Sequence, residues 1–134
     1  MKENQTIAQF LNIKVFPFEI KDKNGKIIYQ EYSDGYWIKQ EYDSNGNITY
    51  FENSNGIWYK YKYEYEYDSK GNEIYFENSY GYWEKQEYNS DGKEIYYENS
   101  DGEIRDNRPK EVVLTLKDIA EKFKIDIKNL KIKE

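Results

Sequence analysis

Eight glycines set the frame for the whole chain: Gly25, Gly35, Gly46, Gly56, Gly71, Gly81, Gly92 and Gly102, at steps of 10, 11, 10, 15, 10, 11 and 10. The tryptophans keep the same spacing, with Trp37 and Trp58 separated by 21 residues and Trp58 and Trp83 by 25. The unit is therefore 21 residues with two turns, and one copy is longer by four. A period of this length with paired turn signals specifies a tandem β-hairpin array. It also limits function, because a residue that recurs in every copy serves the repeat before it serves any chemistry.

Aligning the copies on glycine assigns the positions. Tyr29, Tyr50, Tyr75 and Tyr96 stand four residues after a glycine, and Glu31, Glu52, Glu77 and Glu98 stand six after. Strand side chains alternate between faces, so these tyrosines and glutamates share one face, and the intervening row containing Phe51 and Phe76 takes the other. After the alternate glycines come Trp37, Trp58 and Trp83, then Lys39, Lys60 and Lys85. Asp34-Gly35 and Asn55-Gly56 predict two-residue type I′ hairpins, while Asp43–Asn47 and Asp68–Asn72 predict three-residue loops with a glycine bulge. The two-residue register sets Trp58 opposite Asn53, Lys60 opposite Phe51 and Tyr61 opposite Tyr50. It makes Trp58, Trp83, Phe51, Phe76 and Ile74 a core face, with the stem of Lys85 over Phe76. The tyrosine–glutamate face is then left to solvent or ligand. The insertion falls in Trp58–Tyr67 and, being even, predicts one long strand over 57–67 with its faces preserved.

The ends read as caps. Residues 5–12 suit a short helix with Ile7, Phe10 and Leu11 on one side, followed by a strand through Phe16-Pro17-Phe18. Beyond Arg108-Pro109, Glu111–Leu114 reads as a strand. Thr115 and Asp118 form a capping box for a helix over Leu116–Lys124, and Ile125, Ile127, Leu130 and Ile132 suit a last strand. The stretch Leu114–Phe123 has the pattern of a first helix of a helix-turn-helix, but no recognition helix follows, so it is read as a cap. The expectation is a single domain over 1–134, divided into an N-terminal cap (1–21), β-hairpin repeats (22–103) and a C-terminal cap (104–134). The fold class is mainly β, α+β by its caps: an antiparallel meander of about eight repeat strands, a short N-terminal helix and a C-terminal strand-helix-strand cap.

Composition narrows the functional classes. Tyrosine numbers 16 and aromatics reach 19%, so burial rests on rings rather than on aliphatic side chains. Residues 24–103 hold 17 acids against 7 lysines, whereas both ends are slightly basic. An acidic sheet excludes direct nucleic-acid binding by the repeats, since phosphate contacts require Lys and Arg. No segment has the length of apolar sequence that a membrane span requires, and the expectation is a cytoplasmic protein of a host cell. With no cysteine and no histidine, thiolate chemistry and the commonest general base and neutral metal ligand are missing.

The remaining candidates for chemistry favour structure. The serines at 33, 44, 54, 69, 79, 90 and 100 lie in turns, where they support backbone. The glutamate row could supply a carboxylate pair, but four equivalent copies favour cross-strand pairing. Asp22–Gly25 and Asp43–Gly46 match the start of a calcium loop without its later bidentate glutamate. Neither a catalytic residue, nor a metal site, nor a cofactor is expected. The lengthened strand is where one copy differs from the others, so a partner-binding surface is expected at Tyr50, Tyr59, Tyr61, Tyr63, Tyr65, Glu64, Glu66 and Tyr75, with tyrosine anchors beside charges. A filled internal overhang and contact with a second copy of the chain are the competing readings of the same strand.

Tyr42-Asp43-Ser44-Asn45-Gly46-Asn47 and Tyr67-Asp68-Ser69-Lys70-Gly71-Asn72 resemble the YD repeats of bacterial shell-forming toxins. Ile95-Tyr96-Tyr97-Glu98-Asn99-Ser100-Asp101-Gly102 is similar to bacterial MORN-type repeats. Together the likeness covers about residues 22–103 and implies hairpin repetition, not an activity. As a small, acidic, Tyr/Asn/Lys-rich chain with short caps, the protein also resembles phage and prophage accessory proteins. That resemblance implies a phage-type inhibitor of a host protein, with nucleic-acid-handling and defence proteins such as CRISPR effectors among the targets. The alternative is a module that sequesters a nucleotide or sugar on its tyrosines.

Overall fold

A computed structural model describes residues 4–110, 115–124, 126 and 128. Its centre is one open antiparallel sheet of nine strands in chain order: β1 (Phe18–Lys21), β2 (Ile27–Glu31), β3 (Trp37–Tyr42), β4 (Ile48–Asn53), β5 (Trp58–Glu64), β6 (Asn72–Asn78), β7 (Trp83–Tyr88), β8 (Glu94–Asn99) and β9 (Ile104–Asp106). Each connection is a glycine turn, so the chain is a tandem β-hairpin repeat and the meander expected from spacing is the fold.

The turns correct one expectation. All eight are of one type. In each, the glycine N–H donates to the carbonyl three residues earlier, as Gly35 does to Tyr32 and Gly56 to Asn53. In seven, the residue that opens the turn also donates to the carbonyl four residues later, as Asn53 does to Ile57. This is the three-residue loop with a glycine bulge, and every one of the glycines has φ between 76° and 89°. What alternates is the ladder: the β1–β2, β3–β4, β5–β6 and β7–β8 pairings carry a register shift near the turn, and the others do not.

A loop one residue longer than expected moves the register by one residue. Trp58 lies opposite Glu52, Lys60 opposite Tyr50, and Tyr59 opposite Phe51. Because side chains alternate with period two, every partner changes face. The tryptophans and lysines join the tyrosine–glutamate rows, and Phe51 and Phe76 sit on the other face with Tyr59 and Tyr61. The expected grouping of Trp58 and Trp83 with Phe51 and Phe76 is therefore replaced by a tryptophan face and a phenylalanine face. Lys85 covers Trp83, 5.0 Å from its ring centroid, and not Phe76.

Neither face is a conventional core. Among the described residues, the buried hydrophobic side chains are Ala8, Tyr29, Tyr97 and Ala120, and most strand residues are half-buried. Neighbouring side chains shield one another. On the tryptophan face the hydroxyls of Tyr29, Tyr50, Tyr75 and Tyr96 each donate to the glutamate two residues on, at 2.9, 3.2, 3.1 and 2.8 Å. Lys60 lies 5.1 Å from the centroid of the Trp58 ring. Serines bind the neighbouring strand: Ser79 donates its N–H to the Trp58 carbonyl and accepts from the Trp58 N–H through Oγ.

The N-terminal helix α1 is one turn long, Ile7–Phe10, with Thr6 and Gln9 as a capping box. It lies on the tryptophan face, where the Ala8 N–H donates to Glu31 Oε2 at 3.0 Å. Glu31 is 2% exposed and also accepts from Tyr29, which makes this buried carboxylate the anchor of the cap. Phe10 and Leu11 are more than half exposed, so the helix docks through Ala8 rather than through the expected apolar side. Helix α2 spans Leu116–Phe123 with the expected Thr115–Asp118 capping box. The strand expected at 111–114 lies outside the described residues, as do Ile125, Ile127, Leu130 and Ile132, on which the last strand was expected.

Candidate functional site

The phenylalanine face carries a continuous band of rings. Phe51 and Tyr59 have centroids 5.6 Å apart, Tyr59 and Phe76 5.9 Å, Phe76 and Tyr61 5.2 Å, and Tyr61 and Tyr63 6.3 Å; Tyr82 joins Phe76 at 6.3 Å. The band follows from the register, which sets Phe51 against Tyr59 and Tyr61 against Phe76 across adjacent ladders. Each ring is half-buried. An open groove of about 580 Å³ runs along Ile48, Phe51, Tyr59, Tyr61 and Tyr63.

Charge separates by face. The residues that β3 to β7 place on the phenylalanine face include Glu73 and Glu84 and no lysine or arginine. Lys39, Lys60, Lys62 and Lys85 all point to the tryptophan face, beside Tyr and Glu. Glu84 accepts from Tyr82 and Tyr97 at 3.1 and 3.0 Å. Glu73 has no hydrogen bond or ion pair among the described residues. Desolvation and then the nearby Glu84 charge push its carboxyl above the usual range. Burial followed by Glu73 likewise raises the phenols of Tyr61 and Tyr63.

The eight residues expected to form one binding surface are divided among several places. Tyr59, Tyr61 and Tyr63 belong to the phenylalanine face. Tyr50 and Tyr75 belong to the tryptophan face, where Lys60 and Lys85 lie opposite them. Strand β5 ends at Glu64 and not at 67, because the insertion leaves the sheet and folds back. The Tyr65 hydroxyl donates to Asp43 and accepts from Asn47 Nδ2, and Asn47 also donates to the Lys70 carbonyl at 2.7 Å. Those bonds tie together the Asp43–Asn47 and Asp68–Asn72 turns, which neighbour each other on one edge of the sheet. Hydrogen bonds from Tyr65 and the loop N–H groups outweigh desolvation and lower the Asp43 carboxyl. Glu64 is raised by desolvation and by Glu66 beside it.

Five residues of the band and its rim were not among those expected: Phe51, Phe76, Tyr82, Glu73 and Glu84. One signal for Glu73 is in the repeat itself. The second residue after the glycine is Ile27 and Ile48 in two copies but Glu73 and Glu94 in the next two. Among the described residues no group of three or more Asp or Glu side chains is placed to hold a metal, and no helix is long and apolar enough to cross a membrane.

No protein-family model and no curated protein matches the chain. Solved structures do match, among them the crystal structure of TcdB2-TccC3-TEV, which is 15% identical with a TM-score of 0.35 and covers 72% of this chain and 6% of that one. The chain thus spans a small fraction of that protein's length.

Proposed function

We propose that the protein is a non-catalytic binding module that inhibits a host protein by direct contact through its phenylalanine face. The observation that carries this reading is the half-buried band Phe51–Tyr59–Phe76–Tyr61–Tyr63 with acids on its rim. Rigid rings on a hydrogen-bonded sheet bury large areas at little entropic cost, the property of interface anchors. The phage origin, the cytoplasmic site of action, and kinship with YD-type and MORN-type repeats belong to the same proposal and rest on the sequence resemblance. An acidic face suits a target whose own surface is basic, as in proteins that handle nucleic acid.

The test is affinity capture from a host lysate with the wild type and two variants. Tyr61→Ser should lose the captured protein, whereas Tyr50→Ser on the opposite face should keep it. Capture insensitive to both variants would refute the reading. A second reading, sequestration of a nucleotide or sugar, is favoured by a cavity of about 680 Å³ beside α1, lined by Ile7, Ile20, Tyr29, Trp37 and Lys39. A thermal shift with one such compound that Trp37→Ala abolishes would support it over the first.

A further inference from the structure

We infer that the phenylalanine face recognises an arginine side chain of its partner, held between the Glu73 carboxylate and the ring of Phe76. The inference rests on the protein-binding reading and adds the chemistry of the contact. The chain itself shows the arrangement one repeat later. There Arg105 Nη2 lies 3.7 Å from Glu94 Oε2, and the guanidinium carbon sits 4.2 Å from the centroid of the Tyr97 ring. The residues 21 positions earlier are Glu73 for Glu94, Phe76 for Tyr97, and Glu84 for Arg105. The Glu94 carboxylate and the ring are retained; Glu103, which also pairs with Arg105 at 3.4 Å, becomes Tyr82, and the internal guanidinium is replaced by an acid.

The rest of the face shows that this difference is local. Glu19 at the first edge has Lys21 at 3.9 Å, and Glu94 near the last edge has Arg105. Among the described residues, Glu73 and Glu84 in the middle of the face stand without an ion pair to a cation of the chain. Tyr63 lies directly opposite Glu73, and Tyr61 stacks on Tyr63 with planes 18° apart. An arginine brought to Glu73 therefore gains a carboxylate and aromatic surface together, which a planar guanidinium satisfies better than an ammonium. Burial and the Glu84 charge already raise Glu73, so an incoming cation relieves a repulsion as well as forming a pair.

The experiment titrates ¹⁵N-labelled protein with a blocked pentapeptide, Gly-Gly-Arg-Gly-Gly, and with its citrulline analogue, which keeps the shape and loses the charge. Shifts centred on Glu73, Tyr61, Tyr63 and Phe76 are expected with the arginine peptide, at about tenfold higher affinity than with citrulline. Glu84→Arg supplies the missing guanidinium from within, as Arg105 does, and should abolish the response while the amide spectrum stays dispersed. Glu73→Gln, a neutral near-isostere, should weaken it about tenfold and decides the matter if Glu84→Arg fails to fold. Equal binding of the two peptides, or an unchanged response in Glu73→Gln, would overturn the inference. A host protein captured through Tyr61 yet still bound by Glu84→Arg would overturn it while leaving the protein-binding reading intact. Arginine-specific shifts without any captured protein would do the reverse.

Discussion

Replacing Gly71 by alanine should cost markedly more than the same change at Gly56, although both glycines occupy the same place in the same turn. At Gly56 (φ +80°) a Cβ would meet no atom within 4 Å, so the cost is that of holding an L-residue in left-handed backbone, about 1–2 kcal/mol. At Gly71 (φ +89°) the Cβ would lie 2.5 Å from Cε1 and 3.0 Å from Cζ of Tyr65, and 3.2 Å from Asn47 Nδ2. The ring must withdraw, and with it go the bonds that join Tyr65 to Asp43 and Asn47. Overpacking and lost hydrogen bonds add about 1–3 kcal/mol, for a total of about 2–5 kcal/mol. Urea unfolding of both variants measures the difference through the midpoint. Tyr65→Ala combined with Gly71→Ala should be less destabilising than the two single changes added together, with a coupling of about 1–3 kcal/mol. Equal costs at Gly56 and Gly71, or a coupling near zero, would refute the claim that the insertion is locked against the turn.

Glu31→Ala should destabilise by about 2–3 kcal/mol, because it leaves the Tyr29 hydroxyl and the Ala8 N–H without their buried acceptor; amide exchange at Ala8 should rise to the rate of free chain, and retained protection would refute the anchor. Glu73→Gln should raise the melting temperature at neutral pH. The folded carboxyl binds its proton more tightly than the unfolded one, so its contribution to stability falls as pH rises from the unfolded value through the folded value, and the advantage of Gln should vanish as pH drops below the ordinary glutamate range; a lower melting temperature at pH 7 would contradict this sign. Arg108→Ala should return the Asp106 carboxyl, lowered to about 2 by the Arg108 guanidinium and N–H, toward 3.8, as NMR titration of the side-chain carboxyl would show.

The meander, its glycine turns and the capping box at Thr115 were legible because each depends on local chemistry. The faces were not, and the cause is a single ambiguity. Asn55-Gly56 fits a type I′ turn and equally fits the middle of a three-residue loop with a glycine bulge. The distinguishing signal is the residue three before the glycine. Asp22, Asp43, Asn53, Asp68, Asn78, Asn89 and Asn99 each accept N–H groups of their own loop through the side chain, as Asn53 does from Asn55 and Ile57. An acceptor at that position stabilises the longer loop. Once the register moved by one residue, Trp58 and Phe51 parted, and Lys39, Lys60 and Lys85 fell on the face opposite Glu73. The fold-back of Tyr65 depends on a contact with Asp43 from another turn, which repeat alignment does not encode.

Binding carried by one face of the sheet is the central claim, and paired substitutions on the two faces test it most directly. Tyr61→Ser with Phe76→Ser strips the phenylalanine face, while Tyr50→Ser with Tyr75→Ser strips a matched area of the tryptophan face. Each double variant is first confirmed as folded, and its affinity for the captured host protein is then measured by calorimetry. The account predicts loss of binding for Tyr61/Phe76 and affinity within a few-fold of wild type for Tyr50/Tyr75. Equal losses, or a loss confined to Tyr50/Tyr75, would contradict it.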